Sequence, residues 1–170
     1  MSAASTLFAF VLFANAQTPA PPPPGKATAC AGATYRVFDF WVGDWNVIQN
    51  GKPAGTNRIE RIVGGCALLE NWRGVSGSVG NSLSYYDAAR RVWHQTWVDN
   101  QGTPLELEGD FVDGRMVLTG AARVAASGKT VIDRLTWTPQ AGGIVRQQWE
   151  MSTDQGKTWN TAFDGRYEKK

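Results

Sequence analysis

The stretch that decides the fold is "RVWHQTWVDNQGTPLELEGDFVDG", residues 91–114. It contains two runs in which apolar and polar side chains alternate, separated by the turn-forming segment "DNQG". In the second run Leu105 and Leu107 alternate with Glu106 and Glu108. Because successive side chains of a strand point to opposite faces, the pattern predicts two half-buried antiparallel strands joined by a hairpin.

The rest of the chain after Cys30 repeats this pattern. Short segments rich in Val, Ile, Thr, Tyr and Trp are separated by Gly, Asn and Asp, and no segment has a sustained apolar period of 3.6 residues. A short helical turn is predicted at 35–43. Ten strands are predicted, at 45–49, 56–63, 67–74, 82–87, 92–99, 105–111, 115–121, 131–138, 144–151 and 158–167. This spacing predicts an all-β protein, either an antiparallel up-and-down barrel or a sandwich.

The N-terminus has the pattern of an export signal. The apolar run "LFAFVLF" is too short to span a bilayer, and Ala14-Asn15-Ala16 follows it as a cleavage site. We therefore expect a signal peptide at 1–16, cleaved after Ala16, and a secreted or periplasmic protein. Against this, residues 1–6 contain no Lys or Arg, and the alternative is a buried N-terminal helix. Five of the eight prolines fall in the next segment, which predicts a semi-rigid arm at 17–34 before a single domain at 35–170.

Charge and cysteine content exclude several classes of protein. The formal net charge is +2 and the basic residues are scattered, which argues against a nucleic-acid partner. No second apolar run is long enough to cross a membrane. In an exported protein, Cys30 and Cys66 predict a disulfide. The alternative, a metal site built on cysteine, lacks clustered partners, so no metal is expected.

The predicted interior is aromatic but holds three polar side chains, Glu70, Gln95 and Gln147. Carboxylates and amides cost free energy inside a protein unless they form hydrogen bonds, so this combination predicts a wet or ligand-filled cavity. The alternatives are a misjudged strand register, or a Glu70 that pairs with an arginine at the rim. The predicted ligand-binding residues are Glu70, Trp72, Tyr85, Trp93, Gln95, Trp97, Trp137, Gln147 and Trp149.

Four longer segments carry a resemblance to a known family: "FDFWVGDWNV", "GTNRIERIVGGCALLENWRG", "SLSYYDAARRVWHQTWVDNQG" and "VRQQWEMSTDQGKTWNTAFDGRY". They resemble a secreted bacterial family of unknown function that is similar to the calycins, which include lipocalins, fatty-acid-binding proteins and nitrobindin-like barrels. Trp45 lies where calycins carry a Gly-x-Trp motif at the start of the first strand. The resemblance covers 35–167 and implies an antiparallel barrel around a cavity for a small hydrophobic or aromatic molecule.

The nitrobindin-like relatives bind haem through a histidine near the C-terminus. The only histidine of this chain is His94, in mid-chain and on the face opposite the predicted cavity. We therefore expect no haem or other cofactor, and a local hydrogen bond for His94.

The segment "STDQGKTW", residues 152–159, resembles the Asp-box of bacterial sialidases. Here the motif occurs once, without the repeat length of a propeller blade. It therefore predicts a hairpin between the last two strands rather than a glycosidase. Asp154 is expected to bind turn amides, Gly156 to supply a positive φ, and Trp159 to pack beneath the turn.

Three functions remain open from the sequence. The first is binding of a small molecule in the aromatic cavity. The second is a cofactor-free isomerase, cyclase or lyase. Glu70 is its candidate catalytic acid–base, because apolar surroundings raise the pKa of a carboxyl group. Gln95 and Gln147 would stabilise a developing oxyanion. The third is an interaction module whose exposed tryptophans stack on sugars or proteins. No phosphate-binding loop, dinucleotide motif or nucleophile elbow is present.

Overall fold

The computed structural model describes residues 29–102 and 104–170. The predicted signal peptide at 1–16 and the arm as far as residue 28 lie outside the described residues. Both stay predictions.

Within the described residues the chain is almost entirely strand. The strands are β1 (Gly43–Gln49), β2 (Lys52–Ile62), β3 (Ala67–Gly74), β4 (Val79–Asp87), β5 (Val92–Asp99), β6 (Pro104–Val112), β7 (Arg115–Gly120), β8 (Arg123–Val124), β9 (Thr130–Gln140), β10 (Ile144–Ser152) and β11 (Asn160–Lys169). Short 3-10 turns occupy Ala33–Arg36, Asp39–Trp41, Val63–Gly65 and Ala141–Gly143.

Ten of the strands form a closed antiparallel barrel, which confirms the predicted fold class. Neighbours in the sequence are neighbours in the sheet, and β1 pairs with β11 to close it. The two-residue β8 pairs with the start of β9 and was not predicted. The last strand begins at Asn160 rather than at 158, because the turn before it extends through Trp159.

One end of the barrel is closed by the segment 33–41, the predicted helical turn. The Phe38 ring stacks on Trp41 with 5.0 Å between centroids, and its edge contacts Trp93 and Trp137. Trp45 donates its indole N–H to the Trp41 carbonyl at 2.8 Å. These five side chains are buried to 1% exposure or less. They form the aromatic floor of the barrel, and aromatic pairs of this kind stabilise a core beyond the area they bury.

A disulfide fastens this closing segment to the wall, as the sequence predicted. Cys30, just before the segment, is bonded to Cys66, just before β3. The Arg36 guanidinium adds to the attachment by donating to the carbonyls of Gly65 and Cys30. Closing a loop with a sequence separation of 36 stabilises a fold by about 3–4 kcal/mol in the chain-entropy model.

The hairpin between β10 and β11 has the geometry that its Asp-box motif predicts. Asp154 accepts hydrogen bonds from the amide and hydroxyl of Thr158 and from the Ser152 hydroxyl. Gly156 has a φ of +86°, and its carbonyl accepts the indole N–H of Trp159 at 3.1 Å. The motif therefore fixes a turn at the open end of the barrel.

We expect Asp154→Ala to lower the urea midpoint of unfolding at neutral pH, because the turn loses three hydrogen bonds. Its partners Thr158 and Ser152 hold the pKa of Asp154 down at about 2, against an ordinary 3.8. A carboxyl with a depressed pKa stabilises the fold above its unfolded pKa and loses that effect as pH falls through its folded pKa. The difference between wild type and variant should therefore shrink between about pH 4 and pH 2.

Lys157→Ala, in the same turn, is the control and should leave the midpoint unchanged. A difference between wild type and Asp154→Ala that stays constant down to pH 2 would contradict the proposed role of the carboxylate.

Candidate functional site

The open half of the barrel contains a cavity of about 790 Å³. This volume lies within the range of small-molecule sites, which is about 300–1,000 Å³. Its lining combines aromatic rings from four strands with a polar base. The aromatic lining residues are Trp72, Trp97, Trp149 and Phe163, and the polar ones at the base are Glu70, Gln95, Gln147 and Tyr167.

Two of the large rings occupy space that inward-facing glycines leave empty. A Cβ atom at Gly80 would fall on the six-membered ring of Trp97, and one at Gly55 would lie 2.7 Å from Cη2 of Trp72. The rings therefore pack along the wall, across neighbouring strands, instead of filling the barrel axis. The absence of side chains at these glycines keeps the cavity open.

The orientations of two indoles are fixed by hydrogen bonds. Trp149 donates to Asp133 at 2.8 Å, and Asp133 is held in turn by Arg123 at 2.6 Å. Trp72 donates to the Ser78 hydroxyl at 3.2 Å, in the loop between β3 and β4. Both side chains are therefore positioned before any ligand enters, which lowers the entropy cost of binding.

Glu70 lies at the base of the cavity and is 4% exposed. Asn57 Nδ2 donates to its Oε1 and Ser82 Oγ donates to its Oε2, each at 2.6 Å. Gln95 donates to the hydroxyls of Ser82 and Ser84 at 3.3 and 3.1 Å. The carboxyl group thus accepts a hydrogen bond at each oxygen, and the bond from Ser82 is backed by the one from Gln95.

The same asparagine connects Glu70 to a second polar pair. Asn57 Nδ2 lies 3.3 Å from the Tyr167 hydroxyl, which donates to Oε1 of Gln147. Within the described residues the amide nitrogen of Gln147 forms no hydrogen bond, and this atom is not fully buried. It is therefore a donor that remains available in the cavity.

Burial raises the pKa of Glu70 from 4.5 to about 7, although the bonds from Ser82 and Asn57 oppose the shift. Burial also raises the pKa of Tyr167 well above its ordinary value, and the charge of Glu70 adds to the effect. At neutral pH the base of the cavity therefore holds two titratable groups. The Glu70 carboxyl group exchanges a proton readily, whereas the Tyr167 hydroxyl group stays protonated.

Six of the nine predicted ligand-binding residues line this cavity: Glu70, Trp72, Gln95, Trp97, Gln147 and Trp149. Whether they bind a ligand stays a prediction. Trp93 and Trp137 also point inward, but they are buried in the aromatic floor against Phe38 and do not line the cavity.

The prediction that Tyr85 faces inward is wrong. Its side chain is 37% exposed and stacks on His94, with 5.1 Å between ring centroids. The buried residues of β4 are Ser82 and Ser84 instead. The apolar-richer face of this strand points outward because the inward serines supply hydrogen bonds to Glu70 and Gln95.

His94 lies on the outer face, as predicted. It is close to the surface carboxylate of Glu108, at 3.3 Å from Nδ1 to Oε1. Among the described residues, no group of three or more His, Cys, Asp or Glu side chains is placed to hold a metal ion. In the same residues, no helix is long and apolar enough to span a bilayer.

Four residues that complete the site escaped the sequence analysis: Asn57, Ser82, Phe163 and Tyr167. Strand alternation could have found some of them, because Asn57 is two residues from the buried Ile59, and Tyr167 shares a face with Phe163 and Gly165. The hydrogen bonds of Asn57, Ser82 and Tyr167 could not be read from any single strand, since each joins two different strands.

No protein-family model matches the sequence, and no curated protein matches it significantly.

We expect Glu70 to destabilise the fold as the pH rises. A carboxyl whose pKa is raised on folding binds more protons in the folded state between its unfolded and folded pKa, so stability falls through that window. For Glu70 the window runs from about 4.5 to about 7. The free energy of unfolding of Glu70→Gln relative to wild type should rise by about 3 kcal/mol between pH 4 and pH 8.

Denaturant titrations of both proteins between pH 4 and pH 8 give their free energies of unfolding. Taking the difference between the two proteins cancels the contributions of the titratable groups that they share. A difference between Glu70→Gln and wild type that stays flat from pH 4 to pH 8 would contradict the raised pKa.

Proposed function

We propose that this protein binds a small hydrophobic or aromatic molecule inside its barrel. The observation that carries the proposal is the cavity of about 790 Å³, with indole rings on its walls and Glu70 at its base. Apolar walls supply most of the affinity in small-molecule sites, and a few fixed polar groups orient the ligand. The barrel with its aromatic interior is compatible with this function.

The arrangement of the interior supports binding rather than simple packing. If the protein needed only a packed core, side chains would fill the open half of the barrel as the aromatic floor fills the closed half. Here Gly80 and Gly55 give Trp97 and Trp72 room along the wall. A buried carboxyl group also costs free energy that a structural core has no reason to incur.

Export to the periplasm or the exterior forms part of the proposal. The Cys30–Cys66 disulfide supports it, because such bonds persist in oxidising compartments. The expected signal peptide at 1–16 agrees with the disulfide. A protein of this kind would meet its ligand outside the cytoplasm.

A second candidate, an isomerase, cyclase or lyase, is favoured by one observation: the pKa of Glu70 is raised to about 7, near the optimum for acid–base catalysis at neutral pH. Glu70→Gln separates the two functions. Binding of a neutral apolar molecule survives the substitution, whereas turnover of any substrate is lost with the acid–base group.

The alternative of a surface module that stacks on sugars finds no support. All eight tryptophans lie within the described residues, and each is buried or half-buried. A stacking surface requires exposed rings.

We expect Gly80→Ala to weaken binding of the neutral fluorescent probe N-phenyl-1-naphthylamine by about tenfold or more, since one extra methyl group in a pocket has effects of that size. The new methyl group takes the position of the Trp97 ring and pushes the ring into the cavity. Stability should fall less than affinity, because the clash is with a side chain that borders the open cavity and not with backbone. Probe fluorescence and tryptophan quenching give the affinity, and thermal unfolding gives the stability.

Gly32→Ala is the matched control, since its Cβ would meet only Tyr35, at an ordinary 3.9 Å. A folded Gly80→Ala variant with wild-type affinity would contradict the location of the site. The binding function would be contradicted if the wild-type protein neither enhanced the fluorescence of the probe nor had its own tryptophan fluorescence quenched by it.

A further inference from the structure

Resting on the proposed binding function, we infer that the cavity selects a hydrophobic organic cation, a molecule whose apolar body carries a protonated nitrogen, with Glu70 as its counter-ion. The inference concerns the charge of the ligand. It follows from the charges in the cavity, the direction of the hydrogen bonds around Glu70 and the chemistry of the walls.

At its base the cavity has one ionisable carboxyl group, that of Glu70, with no cationic side chain of the described residues paired to it. The other charged lining residues are Lys52 and Asp99. Lys52 begins β2 and Asp99 ends β5, so both lie at the rim of the cavity. Within the described residues Glu70 forms no ion pair. A ligand cation would be the counter-charge that the protein does not provide.

The hydrogen bonds around Glu70 suit its ionised form. Asn57 donates to one oxygen and Ser82 to the other, and Gln95 donates to Ser82 behind it. A protonated carboxyl group needs an acceptor for its own hydrogen, and the amide nitrogen of Asn57 offers none, whereas the Ser82 hydroxyl can donate or accept. A carboxylate accepts about four hydrogen bonds, so lone pairs remain for a ligand N–H donor.

Burial works against the ionised form that these donors favour. It raises the pKa of Glu70 to about 7 in the absence of a partner. An opposite charge nearby reverses such a shift. A cation that enters the cavity should therefore lower the pKa of Glu70 and expel its proton.

The walls above Glu70 are also suited to a cation. Trp72, Trp97 and Trp149 line the space through which a ligand reaches the carboxyl group. Indole faces attract cations more strongly than the other aromatic side chains do. An aromatic wall around one carboxylate discriminates against anions, which both features repel.

Three naphthalene probes of nearly equal shape test the inference by isothermal titration calorimetry: 1-naphthylmethylamine, 1-naphthalenemethanol and 1-naphthoate. They differ at the polar group, which is cationic, neutral or anionic. At about pH 8 the amine should bind about ten to a hundred times more tightly than the alcohol, as expected for a hydrogen bond to a charged group. The carboxylate should bind least.

Proton release provides a second, variant-free measurement. At about pH 6 the free Glu70 is mostly protonated, so binding of the amine should release close to one proton, seen as a dependence of the heat on the buffer. The alcohol should release none. Tyr167, the titratable neighbour of Glu70, has a raised pKa and keeps its proton throughout.

In Glu70→Gln the amine should lose its advantage over the alcohol and its proton release, while the neutral N-phenyl-1-naphthylamine still binds, which also verifies folding. Glu106→Gln, on the outer face of β6 and outside the cavity lining, is the control and should keep both effects. Equal affinities of amine and alcohol, tightest binding of the carboxylate, or loss of the preference in Glu106→Gln would each overturn the inference. In each of those cases the proposed binding function still holds. If the protein bound none of the four probes, the proposed binding function would be contradicted as well.

Discussion

A carboxyl group inside a protein requires hydrogen-bond donors or a counter-charge, and this requirement at Glu70 organises the interior of the barrel. It accounts for the amide of Asn57 and the hydroxyl of Ser82 at 2.6 Å on either side. It also accounts for the polar inward face of β4, where a core strand would carry apolar side chains. These donors come from β2 and β4, the two strands that flank β3, so the carboxyl position depends on the register of these three neighbouring strands.

The barrel interior divides into two halves of different character. Below Glu70, rings of the closing segment fill the space and the disulfide at Cys66 fastens that segment to the wall. Above it, the tryptophans are held against the wall over glycines or by hydrogen bonds such as that from Trp149 to Asp133. A closed half packed with buried rings supports an open half that contains the cavity, and the polar layer forms the boundary between them.

Sequence reasoning predicted the strands because alternation is strong where one face of a sheet meets solvent, as in Leu105 and Glu106. It predicted the cavity from Glu70 because an acidic side chain among aromatic rings is costly in a core that is filled and dry. It failed at Tyr85, since the inward face of β4 was chosen by hydrogen bonding rather than by apolarity. It could not separate Trp93 in the floor from Trp97 in the wall, because that distinction depends on depth along the barrel and on which neighbour is a glycine.

The central claim is that an open, preformed space lies above Glu70, and a crystal structure of the protein grown with N-phenyl-1-naphthylamine tests it most directly. The account predicts density for the probe between Trp97 and Trp149, with the wall rings unmoved and Glu70 still bonded to Asn57 and Ser82. Rings of Trp72, Trp97 and Trp149 folded together over Glu70, with the probe absent or bound outside the barrel, would contradict it.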